Sequence, residues 1–245
     1  MAIEVFNRFE HKYLMGRTEY EKILPVIEQH MVLDPYNPNH TPYTIANIYY
    51  DTLDDYLIRK SLSKPIYKEK LRLRSYGVPT LDTNVFLEIK KKCNGIVNKR
   101  RTILTLAAAY DFLRTGVPPA AKVCTNKQVA KEIAYFLSFY SLLPKVYLAY
   151  DRVAYFEEGN PDLRISFDFN IRSRRHHLAL EKGDYGTPLL SDGMCLMEIK
   201  TALAKPIWLS DLLTAFHLNR SSFSKYGTEF KQHADAVWHS EKIAI

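Results

Sequence analysis

A chain of 245 residues, 47% of them hydrophobic, can bury a sizeable core and is read as one unit over residues 1–245. No run of about 18 apolar residues occurs, so no transmembrane helix is expected, and the charged, alternating start MAIEVFNRFEHKYLM offers no apolar signal region. The formal net charge of +7 suits an anionic partner, while Cys93, Cys124 and Cys195 lack CxxC spacing, which argues against a disulfide framework or zinc site and fits a reducing, cytoplasmic location.

Strict alternation of apolar and charged residues predicts a first strand over 5–15. RTEYEKILPVIEQH follows as a helix, with Thr18 and Glu21 in capping-box spacing and Pro25 placed to kink it. Strands are predicted over 43–51, 66–75, 84–92 and 98–106. LAAAYDFLRTG reads as a helix capped by Thr105 and ended at Gly116, before Pro118 and Pro119. A second helix begins after Thr125, in NKQVAKEIAYFLSFYSLL. Strands over 145–156, 163–174 and 195–201 come next, and the chain from Trp208 to about His239 reads as helix broken around Lys225, Tyr226 and Gly227. The sum is an α+β fold, and eight such strands are enough to close a barrel.

Successive side chains of a strand point to opposite faces, so parity assigns each residue to one of two surfaces. In YKEKLRLRSYG, Lys68, Lys70, Arg72 and Arg74 share one face and Leu71 and Leu73 the other. The same sorting groups Arg8, Glu10 and Lys12; Glu88, Lys90 and Lys92; Lys99 and Arg101; Tyr150 and Arg152; Arg164, Asp168, Arg172 and Arg174; and Glu198 and Lys200. On one strand alone this is an ordinary solvated face. Its recurrence, beside helices whose apolar faces need a surface to cover, places the apolar faces outside and the charged faces inside a barrel. Cations facing one another in an enclosed space repel unless a polyanion lies between them. Arg and Lys suit phosphate oxygens, and a few carboxylates among them could hold a divalent cation bridging those oxygens.

The ordered set RFEHKYL, IYYDT, KLRLRSYG, FLEIKKK with NKRRTIL, YDRVAYF, LRISFD, MEIKT and SKYG runs from Arg8 to Gly227. It resembles the VTC domain, the polyphosphate polymerase domain of the vacuolar transporter chaperone family, within the CYTH or triphosphate tunnel metalloenzyme superfamily. The resemblance implies the triphosphate tunnel fold, a closed eight-stranded antiparallel β-barrel with helices outside and a C-terminal helical segment. It also implies transfer of the ATP γ-phosphate to a growing polyphosphate chain, assisted by Mn2+ or Mg2+. ATP and polyphosphate are thus the expected partners and nucleic acid is not; the leucines interleaved in KLRLRSYG, where base stacking would want aromatics, point the same way.

Position by position, Lys12, Arg72, Arg74, Lys90, Lys99, Arg152 and Lys225 match phosphate-binding positions, and Glu198 matches the metal-binding carboxylate. Parity adds Arg101 and Lys200 to the phosphate-binding set, and Glu88 is a second metal candidate. Arg72, Arg74, Arg152 and Glu198 form the expected catalytic group. In Arg8-Phe9-Glu10-His11-Lys12 a cation replaces the first acid of the superfamily's E-x-E-x-K, so Glu10 is expected to pair with a neighbouring Arg instead of metal. Asp168 is expected to bridge to Arg164 or Arg172, Tyr49, Tyr50 and Tyr150 to pack or to meet a nucleobase, and Cys195 to be a buried small hydrophobe. A stand-alone prokaryotic-type member is expected, with a membrane partner left open. Two other activities fit the same residues: an inorganic triphosphatase, and a non-catalytic polyphosphate- or nucleotide-binding module.

Overall fold

The computed structural model describes residues 9–94, 96–120, 124–202 and 204–243; Arg8 and the other residues before Phe9 lie outside that set. The first half of the chain gives β1 (Phe9–Gly16), α1 (Arg17–Glu28), β2 (Val32–Leu33), β3 (Tyr43–Asp51), α2 (Tyr56–Leu62), β4 (Tyr67–Tyr76), β5 (Asn84–Cys93) and β6 (Ile96–Thr105). Helices α3 (Leu106–Thr115) and α4 (Lys127–Phe139) follow. The second half gives β7 (Leu143–Glu157), β8 (Asn160–Arg174), β9 (Thr187–Pro188), β10 (Met194–Thr201), α5 (Ile207–Ala215) and α6 (Lys225–Ile243).

The alternating segments all became strands, because each presents one apolar and one polar face to the two sides of a curled sheet. The strand order is β1-β10-β8-β7-β3-β4-β5-β6, with β2 added to β7 and β9 to β8, and all neighbours run antiparallel. The expected closed barrel of eight strands is corrected on two points: among the described residues the sheet has ten strands, and β1 and β6 do not pair. Loops already occupy both edges. On β1, the Ser221 amide donates to the Lys12 carbonyl at 2.7 Å, and Tyr13 bridges Arg220. On β6, the Ile103 amide donates to Thr125 Oγ1 at 3.0 Å, and the Thr125 amide donates back to the Ile103 carbonyl at 3.3 Å. Edge groups satisfied in this way are not available to a further strand. The sheet still curls until its ends approach, for Lys90 on β5 lies 3.7 Å from Glu10 on β1.

Two apolar layers cover the outside. Leu71, Leu73, Leu87 and Ile89 pack beneath Phe112 of α3 and Val129, Ile133 and Phe136 of α4. Tyr13, Ile165, Phe167, Met197 and Ile199 pack beneath Ile23 and Ile27 of α1 and Leu209, Leu212 and Leu213 of α5. A third cluster, with Ile45, Val146, Leu148, Ile171 and Leu196, fills one part of the interior and meets Tyr226 of α6. The remaining interior is the polar channel.

Local signals explain most helix ends. Thr105 caps α3 by accepting from the Ala108 amide, and Gly116 ends it in the left-handed conformation at φ 71°. Asn126, the expected first residue of α4, is instead its cap, accepting from the Val129 amide, and the helix begins at Lys127. The capping box of α1 does not form: β1 runs to Gly16, the helix begins at once, and Glu21 pairs with Arg17 at 2.8 Å. The C-terminal break lies at 216–224, so Lys225, Tyr226 and Gly227 form the first turn of α6. No local pattern announced α2, because its cap comes from an earlier strand: Asp51 of β3 accepts from the Leu57 and Ile58 amides at 2.8 and 2.9 Å. No helix among the described residues is long and apolar enough to cross a membrane.

Candidate phosphate-binding channel

The curled sheet and the first turn of α6 enclose a cavity of about 320 Å3. Ten lysines and arginines line it, together with Glu10, Glu198, Tyr49, Tyr150 and Tyr226. Nearly all of this charge comes from the inward parity of neighbouring strands, and register pairs opposite signs across the ladder: Arg72 with Glu88, Arg152 two strands away with Asp168, Lys12 with Glu198.

The ions form two clusters. In one, buried Glu88 accepts from Arg72 Nε at 2.7 Å and from Lys99 Nζ at 3.2 Å, with Arg74 Nε 3.8 Å away. Arg74 also donates to Asn47 Oδ1 at 2.8 Å and to the Tyr150 hydroxyl at 3.1 Å. In the other, Asp168 takes Arg152 in a bidentate pair at 2.6 and 2.8 Å and Lys225 at 2.5 Å. Glu198 beside it meets Lys225 at 2.9 Å, Arg152 at 3.3 Å, Lys12 at 3.5 Å and Lys200 at 3.6 Å. Glu10 extends the second cluster, contacting Lys12 at 3.2 Å and, from the other end of the sheet, Lys90 at 3.7 Å.

This arrangement sets the protonation states. Burial opposes the charge of Glu88, but Arg72, Arg74 and Lys99 outweigh it and hold the carboxyl well below its usual range. Glu198, against the same burial, is lowered by Lys225, Lys12, Lys200 and Arg152, and Asp168 by Arg152 and Lys225. Lys90 is the main cause lowering Glu10. Burial, only partly offset by Glu88 and by Glu198 respectively, pulls Lys99 and Lys200 down to about 8. Tyr49 is also brought to about 8, since burial is outweighed by Arg72 and Lys70.

Of the residues expected from the sequence, Lys12, Arg72, Arg74, Lys90, Lys99, Arg152, Lys200, Lys225 and Glu198 line the channel together, and Glu88 lies against three of them. Arg101 is not among the lining residues: its register partner Glu88 is already taken by Arg72 and Lys99, and Arg101 is exposed and lies over the Phe86 ring, 4.9 Å from its centroid. Among the described residues, Glu10 pairs with lysines and not with an arginine. Asp168 takes the cross-strand Arg152 and the helical Lys225, while Arg164 turns to Asp34 at 2.7 Å and Arg172 to Asp151 at 3.2 Å. Tyr49 stacks on Tyr226 at 4.7 Å, and Tyr150 packs under Arg152 and Lys225; Tyr50 faces the outer core. Cys195 is fully buried, and burial pushes its thiol up to about 12. Lys70 and Arg164 also line the channel, beyond the expected site, on the inward face that parity gives both. Tyr226 lines it too, from helix α6, where strand parity carries no signal.

No group of three or more His, Cys, Asp or Glu that could hold a metal ion occurs among the described residues. The channel carboxylates already have cationic partners, so the chain does not form a metal cage by itself. The donor set fits a divalent cation only if phosphate oxygens supply most of its ligands, with Glu198 and Glu10 the carboxylates that line the channel.

Several solved structures are similar to this chain at low sequence identity. A candidate adenylate cyclase from Bacillus halodurans superposes with a TM-score of 0.55 at 12% identity, over 91% of this chain and 96% of that one, which shows a common fold. A candidate adenylyl cyclase from Hippeastrum with a dominant triphosphatase activity gives 0.49 at 16% identity, over 89% and 92% of the two chains. A candidate adenylate cyclase from Vibrio parahaemolyticus gives 0.46 at 12% identity, over 91% and 98%. No curated protein matches the sequence. The VTC domain profile matches residues 7–233, nearly the whole chain. The protein therefore belongs to the VTC domain family.

Proposed function

We propose that the channel holds phosphate chains and transfers the γ-phosphate of ATP to the end of a growing polyphosphate. The observation that carries this reading is the enclosed lining of ten cations around a few fully engaged carboxylates. Phosphoryl transfer needs positioning and charge stabilisation more than a covalent nucleophile. Arg72 and Arg74 from one cluster and Arg152 from the other clamp the triphosphate. Lys12, Lys90, Lys99, Lys200 and Lys225 neutralise the chain along its length. Arg101 contributes from outside the lining, where it can meet only a chain that projects from the channel. Glu198 is the residue to hold Mn2+ or Mg2+, and Glu88 keeps Arg72 and Lys99 in place. The cation, when bound, neutralises charge between phosphate oxygens.

One feature favours a phosphate acceptor over water. Glu88, Glu198 and Asp168 are each bound by two or more cations; Glu88 and Glu198 are held well below the usual carboxylate range and Asp168 is lowered too, which makes them weak general bases. A terminal phosphate oxygen is already anionic and needs none. Incubation with ATP and Mn2+ separates the readings. Long polyphosphate on a gel is expected, and orthophosphate without polymer would instead indicate a triphosphatase. Binding without any turnover would indicate a binding module. Arg72→Ala and Glu198→Ala are each expected to lower polymer synthesis by about 100-fold or more, and full activity in both variants would remove the channel assignment.

A further inference from the structure

Nine of the ten cations lining the channel have a carboxylate oxygen no more than 3.8 Å away. Lys70 is the exception among the described residues. Its ammonium lies 5.7 Å from the centroid of the Tyr226 ring on α6, and the groups around it are Tyr49 of β3, Lys12 of β1, Lys90 of β5 and Lys68 of its own strand. At neutral pH, where the Tyr49 phenol is un-ionised, the charged groups that act most strongly on Lys70 are thus cations. Lys68 does not compensate it and instead donates to the Ser61 carbonyl at 3.0 Å. A cation enclosed with its own sign and without a counter-charge raises the free energy of the folded chain, so folding gives no reason for a lysine here.

The geometry points to Lys70 as a dedicated phosphate anchor: an oxyanion entering the channel pairs with it without displacing any protein carboxylate, whereas each of the other nine cations must release or share one. This inference rests on the phosphate-channel reading above and adds a residue and a distinct role to it. Protonation is consistent with that role. Burial, opposed by Tyr49 and reinforced by Lys90, Lys12 and Lys68, pulls Lys70 down to about 8. Near that pH part of the protein lacks the charge, and an arriving phosphate draws a proton onto the amine.

The test is a calorimetric titration with inorganic tripolyphosphate at pH 8, in two buffers of different ionisation heat, with melting temperatures recorded alongside. Lys70→Gln is expected to bind at least about tenfold more weakly, the worth of one charge-assisted hydrogen bond. Its melting temperature is not expected to fall, because no carboxylate loses a partner. Lys70→Arg is expected to keep the affinity and to reduce the proton uptake that the two buffers reveal for the wild type. Equal affinity in Lys70→Gln and wild type overturns the inference and leaves the channel reading standing. Wild type that binds no tripolyphosphate overturns both. Weaker binding with a lowered melting temperature in both variants marks a structural lysine and also overturns the inference.

Discussion

Individual side chains in the channel are governed by one balance, in which burial disfavours charge and neighbours of opposite sign restore it. Glu88, Glu198 and Asp168 are lowered, so the stability they contribute is present above their unfolded values of about 4 and is lost as pH falls through the folded ones. Lys70, Lys99 and Lys200 lie at about 8, where Tyr49 also ionises. Below about 8 the lysines are charged and the phenol is neutral; above it the lysines lose charge and the phenol gains a negative one. Affinity for tripolyphosphate is therefore expected to fall by about tenfold or more between pH 7 and pH 9 in calorimetric titration. A flat profile would show that these groups do not meet the ligand.

Among the elements, the strands were legible and the pieces that complete the channel were less so. Alternation fixes which face a residue occupies, so Arg72, Arg74 and Glu198 could be aimed inward from sequence, and Leu71 and Leu73 outward beneath α3 and α4. Pairing partners were harder to read, because they depend on register: Asp168 meets Arg152 on the adjacent strand instead of Arg164 on its own. The unclosed edges were not legible, since they depend on where Ser221 and Thr125 come to rest in space. Helix α2 and the seating of α6 both rely on Asp51, which receives the Leu57 and Ile58 amides and the Tyr226 hydroxyl at 3.0 Å. Burial pushes the Asp51 carboxyl up, against those hydrogen bonds. Asp51 also accepts from the Thr52 amide at 2.8 Å, so Asp51→Ala leaves four donors unmatched and is expected to cost about 2–4 kcal/mol by urea denaturation. A change under about 0.5 kcal/mol would show that α2 and α6 are held by their apolar contacts alone.

At the scale of the whole molecule, the chain is organised as an apolar exterior covered by helices and a polar interior left partly open. The ten cations of the channel face Glu10 and Glu198 in the lining, with Glu88 and Asp168 against them. The resulting excess of positive charge is concentrated inside a curled sheet, where it is poorly screened, and this is what a polyanion would neutralise. The apolar cluster around Val146, Leu148 and Tyr226 fills another part of the same interior. The most direct test of this account is a crystal structure with bound tripolyphosphate. The expected result places phosphate groups within hydrogen-bonding reach of Arg72 and Arg74 on one side and Arg152 and Lys225 on the other. Phosphate held on the outer surface, with the channel side chains still paired only to one another, would contradict it.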